Sequence, residues 1–379
     1  MRIVLSGIET NNKGAELMLY AILQEIESRY AEAEVFVPLY AVKQGIEYVK
    51  TNVCLKDKPF AKIKRLCNSC HIQSVLRRLH LPYSFLLDSW PVKNVDFFID
   101  ASGFHFSDQW DIPIEHWRGQ LLNYSKQGSK IIFLPQAFGP VKKKQTRDAI
   151  SLLNQFADVV MPREQLSYDY LIEAAMDKTK LSLYKDFTSL VDGVFPSQYE
   201  NLRQAVCIIP NIRMFDKGTL NLDKYLVFIK HIVDESRKQD KKVYLLNHEG
   251  SADEKLAYEI SRNLNSEIPV VTKLNALEVK GLISQSYICV TSRFHGAASA
   301  LNTCVPCLAT SWSHKYKELF LDYGLTDSIL NLDDIDSSVA KFDFLMCDTN
   351  NYQMRQRLST PAGTIKDETH DMWELVWSR

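Results

Sequence analysis

Short apolar runs rich in β-branched and aromatic residues alternate along the chain with stretches whose apolar positions recur every three to four residues. The runs read as buried strands and the stretches as amphipathic helices. In the first half, strands are expected over residues 2–6, 34–38, 96–100, 130–134 and 159–161, with helices over 14–30, 146–156 and 166–175. The alternation then restarts. Strands are expected over 205–209, 242–247, 269–271, 287–291 and 307–309, and helices over 222–239, 253–264, 276–284 and 296–302. Residues 352–358 and 369–377 read as two further helical pieces. Strands separated by helices imply right-handed βαβ units and parallel sheets. The expected class is α/β, with two Rossmann-like doubly wound domains facing a cleft. The turn-rich stretch DGVFPSQYEN at 192–201 suggests the boundary. The expected division is 1–195, 196–345 and a C-terminal helical segment 346–379 packing back across the domains.

Length supports two cores, since 379 residues exceed what one core usually organises. A hydrophobic share of 46% with 24% charged residues is an ordinary globular balance, and a formal net charge of −1 gives no global pull toward nucleic acid. The apolar run at the N-terminus is only residues 3–5, and no stretch approaches the ~20 apolar residues of a membrane span. A cytoplasmic protein with eight reduced cysteines is therefore expected. Cys67, Cys70 and His71 match a haem-attachment pattern, and Cys67 and Cys70 with Cys304 and Cys307 have the makings of a zinc site. Both readings are set aside, the first for want of an export signal and the second because the pairs fall in different expected domains. No metal and no cofactor are expected. Residues 56–80 carry seven basic residues against Asp57, interleaved with apolar ones. Such a segment either contacts an anionic membrane from the inner face or forms a solvated basic surface.

The chemistry gathers at strand ends. In SYICVTSRFHGAASALNTCVP, Arg293 and His295 sit where a buried strand gives way to a helix opened by Gly296. Helix N-termini offer unpaired N–H groups to an anion, and Arg293 adds a planar fork of donors. His295 is the side chain there able to exchange a proton near neutrality. The alternative is a structural arginine beside a satisfied loop histidine. Asn211 and Arg213 follow the strand at 205–209 in the same way, with Arg213 either a second anion ligand or a surface residue. His248, with Glu249 and Asp253, follows the strand at 242–247. These contact a ligand, or they are loop polar groups with Asp253 capping the next helix. In the first half, Asn12, Gly14 and Glu16 lie in NNKGAE, Ser102 and Gly103 in DASGFHFSD, and Gln136 in QAFGP. Each turn leaves a strand end. None is a dinucleotide fingerprint or a Walker loop.

Taken together, these elements resemble the polysaccharide pyruvyl transferase family. Residues 12–16 resemble its N-x-G-[DA]-E element, 136–140 its Q-[ST]-[IF]-G-P, and REQLSYDYL at 163–171 its R-[DE]-x-x-S-x-x-x-L, with Asp186 in the motif that follows. SRFHG at 292–296 resembles S-R-x-H-G, and HKYKELFLDYG at 314–324, with Lys315, resembles the element that closes the pattern. Ser102–Phe104 stands where many members carry glycines, and Ala137 replaces a hydroxyl residue. The resemblance implies a GT-B-like fold and metal-free transfer of the pyruvyl unit of phosphoenolpyruvate to sugar hydroxyls of a cell-surface polysaccharide or a lipid-linked precursor. It places Arg293 and His295 at the donor. Two alternatives stay open: a GT-B glycosyltransferase using a nucleotide sugar, and a non-catalytic saccharide-binding descendant.

Overall fold

Runs of four to seven apolar residues become strands because both of their faces are covered. A strand buried on one side only would alternate with polar residues. In the second half, Val206, Ile208, Val243, Leu245, Ile288 and Val290 enter one core cluster. Their neighbours Cys207, Ile209, Tyr244, Leu246 and Cys289 enter another on the opposite face of the sheet. The computed structural model describes residues 1–8, 12–37, 54–57, 92–216, 220–264, 268–311 and 314–378. Apart from Lys56 and Asp57, the basic segment 56–80 lies outside the described residues, as do Cys67, Cys70 and His71.

Two all-parallel six-stranded sheets result. The first contains β1 (Arg2–Ser6), β2 (Glu34–Val37), β3 (Cys54–Asp57), β4 (Phe97–Asp100), β5 (Lys130–Gln136) and β6 (Val159–Pro162) in the order β3-β2-β1-β4-β5-β6. The second contains β7 (Val206–Ile209), β8 (Val243–Leu246), β9 (Val270–Val271), β10 (Ile288–Thr291), β11 (Cys307–Thr310) and β12 (Ile329–Leu330) in the order β12-β11-β10-β7-β8-β9. Each is the 3-2-1-4-5-6 order of a doubly wound nucleotide-binding sheet. The connecting helices are α1 (Lys13–Arg29), α2 (Ile114–Lys126), α3 (Lys144–Phe156), α4 (Gln165–Glu173), the single turn α5 (Arg213–Asp216), α6 (Leu222–Lys238), α7 (Gly250–Asn263), α8 (Ala276–Ser284), α9 (Phe294–Asn302), α10 (His314–Asp322), α11 (Ile335–Met346) and α12 (Asp348–Trp377). No described helix is long and apolar enough to cross a membrane.

Two compact units follow. One comprises Met1–Thr10, Met18–Asp186 and Asp371–Arg379, and the other Asn11–Leu17 and Phe187–His370. The division near residue 187 precedes the turn-rich 192–201 stretch, and the NNKGAE segment groups with the second sheet. Two helical readings change. Residues 352–358 and 369–377 belong to one helix, α12, which runs through Pro361. Leu358, Ala362, Ile365, Thr369, Met372, Trp373 and Val376 are all buried at helical spacing along it, so packing overrides the proline's lost donor. α2 was not anticipated, although Trp117, Leu121 and Tyr124 form its buried stripe.

Gly281 in α8 lies against backbone. A Cβ there would fall 2.2 Å from the Val194 carbonyl oxygen. Gly281→Ala is therefore expected to cost about 1–3 kcal/mol by overpacking. In a thermal melt this is a fall of roughly 2–10 °C.

Candidate functional site

In the second sheet the strand order reverses between β7 and β10, the position at which open α/β sheets bind ligands beyond their carboxyl ends. Ile209 and Thr291 are register partners at those ends. Polar side chains tie the two exits together. Asn211, buried, donates through Nδ2 to the Ser292 carbonyl at 2.8 Å, and its Oδ1 accepts the Arg213 backbone N–H at 2.9 Å. Tyr316 also donates to the Ser292 carbonyl, at 2.7 Å. The hydroxyls of Ser292 and Thr310 lie 2.6 Å apart.

Arg293 is the N-cap residue of α9, which begins at Phe294, two positions before the start expected at Gly296, so His295 lies inside the first turn. The Arg293 backbone N–H donates to Thr291 Oγ1 at 3.0 Å. Its guanidinium does not stand open. Nε donates to Asp253 Oδ2 at 2.8 Å, Nη2 bonds the same oxygen, and Nη1 pairs with Glu249. Asp253 Oδ1 accepts the Ile212 backbone N–H at 3.1 Å. Asp253 thus does not cap α7. The N-cap there is Glu249, which makes no side-chain capping bond. Gly296 is required by space, since a Cβ would meet Thr291 Oγ1 at 2.6 Å.

Residues 12–17 complete this cluster. Asn12 pairs with Glu249 in an antiparallel bridge, and the Lys13 N–H reaches the His248 carbonyl at 3.4 Å. Asn12 Oδ1 accepts the Gly14 N–H at 2.9 Å. Gly14 lies under the His295 ring, and a Cβ there would be 2.1 Å from Nδ1. Glu16 pairs with Lys13 at 2.5 Å and accepts the Ala276 N–H at the start of α8. Burial raises its pKa, against the lowering effect of Lys13. Glu16 therefore satisfies an otherwise orphaned helix donor. Lys315 stands 5.7 Å from the centroid of the Phe294 ring, beside the same turn. Arg213, in α5, is exposed.

His248 is the unusual member. It is 3% exposed, and its Nδ1 has no hydrogen-bond partner among the described residues. Burial pushes its pKa well below the ordinary value, and the charges of Arg293, His295 and Lys13 push the same way.

A second cluster lies at the carboxyl ends of β4 and β5. Buried Asp100 accepts the Ser102 hydroxyl at 2.9 Å and Gln136 Nε2 at 3.0 Å. Gln136 Oε1 is buried with no partner among the described residues. Gly103 adopts φ +71 in the same turn. The 163–171 element braces the Gln136–Pro140 turn: Ser167 accepts the Phe138 N–H at 2.7 Å and bonds Glu164, while Arg163 lies 3.4 Å from both Glu164 and Asp186. The Arg293 partners Glu249 and Asp253 were not assigned from sequence. They lie 44 and 40 residues away, and no spacing announces the pairing. Among the described residues no group of three or more His, Cys, Asp or Glu is placed to hold a metal.

The family profile for polysaccharide pyruvyl transferases matches residues 12–314, from the Asn12 turn through the Arg293 turn to the start of α10. The chain belongs to the polysaccharide pyruvyl transferase family. It is thus a member of a transferase family, and both clusters lie in the matched region. No curated protein matches the sequence significantly. Solved structures show the fold. Anabaena HepE in complex with UDP and glucose aligns over 100% of both chains with a TM-score of 0.60 at 14% identity. The UDP-GlcNAc 2-epimerase of Neisseria meningitidis, bound to UDP-GlcNAc, aligns over 100% of both chains at 0.61 and 10%. That of Methanocaldococcus jannaschii aligns over 99% of each at 0.60 and 11%. The fold class is GT-B-like, with two Rossmann-type sheets.

The depressed His248 pKa makes stability depend on pH in a definite sense. The unfolded chain takes up a proton near pH 6.5, while the folded chain resists it. The stabilisation is full above about pH 6.5 and is lost as pH falls toward the folded pKa. His248→Asn cannot bind that proton. The stability gap between wild type and variant is expected to narrow between pH 7.5 and pH 5, as read by denaturant melts. A constant gap would show that His248 is readily protonated in the folded protein.

Proposed function

We propose that this protein transfers the pyruvyl group of phosphoenolpyruvate onto sugar hydroxyls of a cell-surface polysaccharide or its lipid-linked precursor. Family membership supports transferase chemistry. The observation that carries the donor assignment is the convergence of Arg293, His295 and the α9 N-terminus at the strand-order switch of the second sheet. Phosphoenolpyruvate bears a phosphate and a carboxylate, and a guanidinium with helix N–H groups matches such oxygens. Arg213 supplies a further cation after the neighbouring strand, and Asn211 fixes the backbone between them.

In this reading His295, in its imidazolium form, protonates the methylene carbon, leaving a cationic centre at the enol carbon. General acid catalysis of this kind contributes about 100–10,000-fold in rate. A sugar hydroxyl oxygen bonds to that carbon and gives up its proton. The carbon–oxygen bond to phosphate then breaks, phosphate leaves with its electron pair, and a second hydroxyl closes the ketal and loses its proton. One phosphoenolpyruvate and two hydroxyls give one ketal and one hydrogen phosphate. Gly14 and Asn12 hold the floor beneath His295, and Lys315 and His248 flank the same turn as donor-binding groups. Glu16 serves the site by fixing α8. Ser102, Gly103 and Gln136 form the acceptor-side turn around Asp100.

His295→Ala is expected to lower phosphate release from phosphoenolpyruvate by at least about 100-fold while leaving its binding intact. Release would be measured with a panel of lipid-linked and nucleotide-linked sugars. Near-normal turnover removes His295 from the acid role. A thermal-shift comparison separates the nucleotide-sugar alternative: at about 100 times Kd the true ligand adds about 2.7 kcal/mol. Stabilisation by UDP but not by phosphoenolpyruvate would favour a glycosyltransferase.

A further inference from the structure

Arg293 carries two carboxylates, and their settings differ. Asp253 has 1% of its side chain exposed, binds the Nε and Nη2 edge, and also accepts the Ile212 N–H. Glu249 has 32% of its side chain exposed and meets the guanidinium at Nη1. Removing Asp253 would strand a buried donor and free the arginine. Glu249 has no such tie. It makes no side-chain cap on α7, and its place in the chain is fixed by the backbone bridge to Asn12. Its carboxylate can therefore leave Arg293 without any movement of the main chain. One guanidinium between two carboxylates also leaves the group with a net negative charge, which repels an incoming anion until one of them withdraws.

We infer that Glu249 is a displaceable occupant of the anion position on Arg293, yielding the outer edge of the guanidinium to a substrate phosphate or carboxylate while Asp253 keeps the inner edge aligned. This deepens the proposed function and rests on its placing of the donor anion at Arg293. Glu249 acts through Arg293 as a positioning and selectivity residue. It sets the affinity an anion must exceed in order to bind, and it holds the fork oriented when no anion is present. His248, next to Glu249 in the same turn after β8, is buried, and its Nδ1 has no hydrogen-bond partner among the described residues.

The test is titration calorimetry of the full chain with inorganic phosphate and, separately, phosphoenolpyruvate. Glu249→Gln, which keeps the shape and removes the charge, is expected to bind phosphate roughly tenfold more tightly than wild type. Glu249→Ala should do the same, and serves where the glutamine variant folds poorly. Glu259→Gln, on the outer face of α7, removes an equal charge and should change nothing. Adding Arg293→Met to Glu249→Gln should abolish the gain. In steady-state assays Glu249→Gln should lower KM for phosphoenolpyruvate. Equal or weaker phosphate affinity in folded Glu249 variants overturns the inference, as does a gain that survives loss of Arg293 or is matched by Glu259→Gln. A wild type that releases no phosphate from phosphoenolpyruvate with any acceptor, alongside a Glu249 variant that gains phosphate affinity, overturns the pyruvyl reading and leaves this inference standing. Wild-type turnover without the gain does the reverse.

Discussion

The carboxylate of Asp253 is the joint on which the second sheet's site is assembled. Three strand-to-helix connections meet there: its own after β8, Ile212 after β7 and Arg293 after β10. Those strands are neighbours in the order β10-β7-β8. A single buried acceptor thus sets the relative height of three adjacent loop exits. A carboxylate with 1% exposure is tolerable only with its charge and lone pairs matched, and Arg293 with the Ile212 amide does this. The arginine in turn is held in one plane, so its remaining donors point in a fixed direction. Asn211 and Tyr316 extend the bracing by both donating to the Ser292 carbonyl, which keeps the residue before Arg293 in place.

Close approach makes the next demand. The His295 ring sits where a side chain at position 14 would be, so the 12–17 segment reaches the α9 turn only as glycine. The same short segment pairs with Glu249, contacts the His248 carbonyl and places Glu16 on the first amide of α8. Its polar residues are largely consumed in fastening it. What reads as a binding loop is also a strap that positions three other elements, and its functional share is the space that Gly14 leaves.

Much of this fold is legible in the sequence because parallel strands buried on both faces leave unbroken apolar runs, as at Val206–Ile209 and Ile288–Thr291. The exits after those runs locate Asn211, Arg213, Arg293 and His295 without further information. Legibility fails where the deciding contact is remote. Nothing local assigns Asp253 to Arg293 rather than to the cap of its own helix, because the choice depends on the register of β8, β7 and β10. Pro361 reads as a break, yet the buried row from Leu358 to Val376 holds α12 continuous. His248 looks like a loop polar group but is buried, because the turn after β8 is covered by the 12–17 segment, over 230 residues away in sequence. The stripe of Trp117, Leu121 and Tyr124 was present in the pattern, but it is short and interrupted by Arg118–Gln120.

A polar group that resembles a family motif can be spent on structure or kept for chemistry, and hydrogen bonding separates the two. Arg163, Glu164 and Ser167 bind one another, Asp186 and the Phe138 backbone, so their element serves to hold the Gln136–Pro140 turn. Glu16 is spent in the same way on Lys13 and Ala276. His248 Nδ1 and Gln136 Oε1 differ, each being buried with no partner among the described residues. An unsatisfied buried group of this kind costs about 1–3 kcal/mol. In the proposed reaction an incoming hydroxyl or anion oxygen would relieve that cost, which makes the relief part of the binding energy. Under the proposed chemistry the two atoms fall on the two turns assigned to donor and acceptor, one in each sheet. The motifs surrounding them are then scaffolding whose purpose is to keep those two atoms from finding partners of their own that a ligand cannot replace.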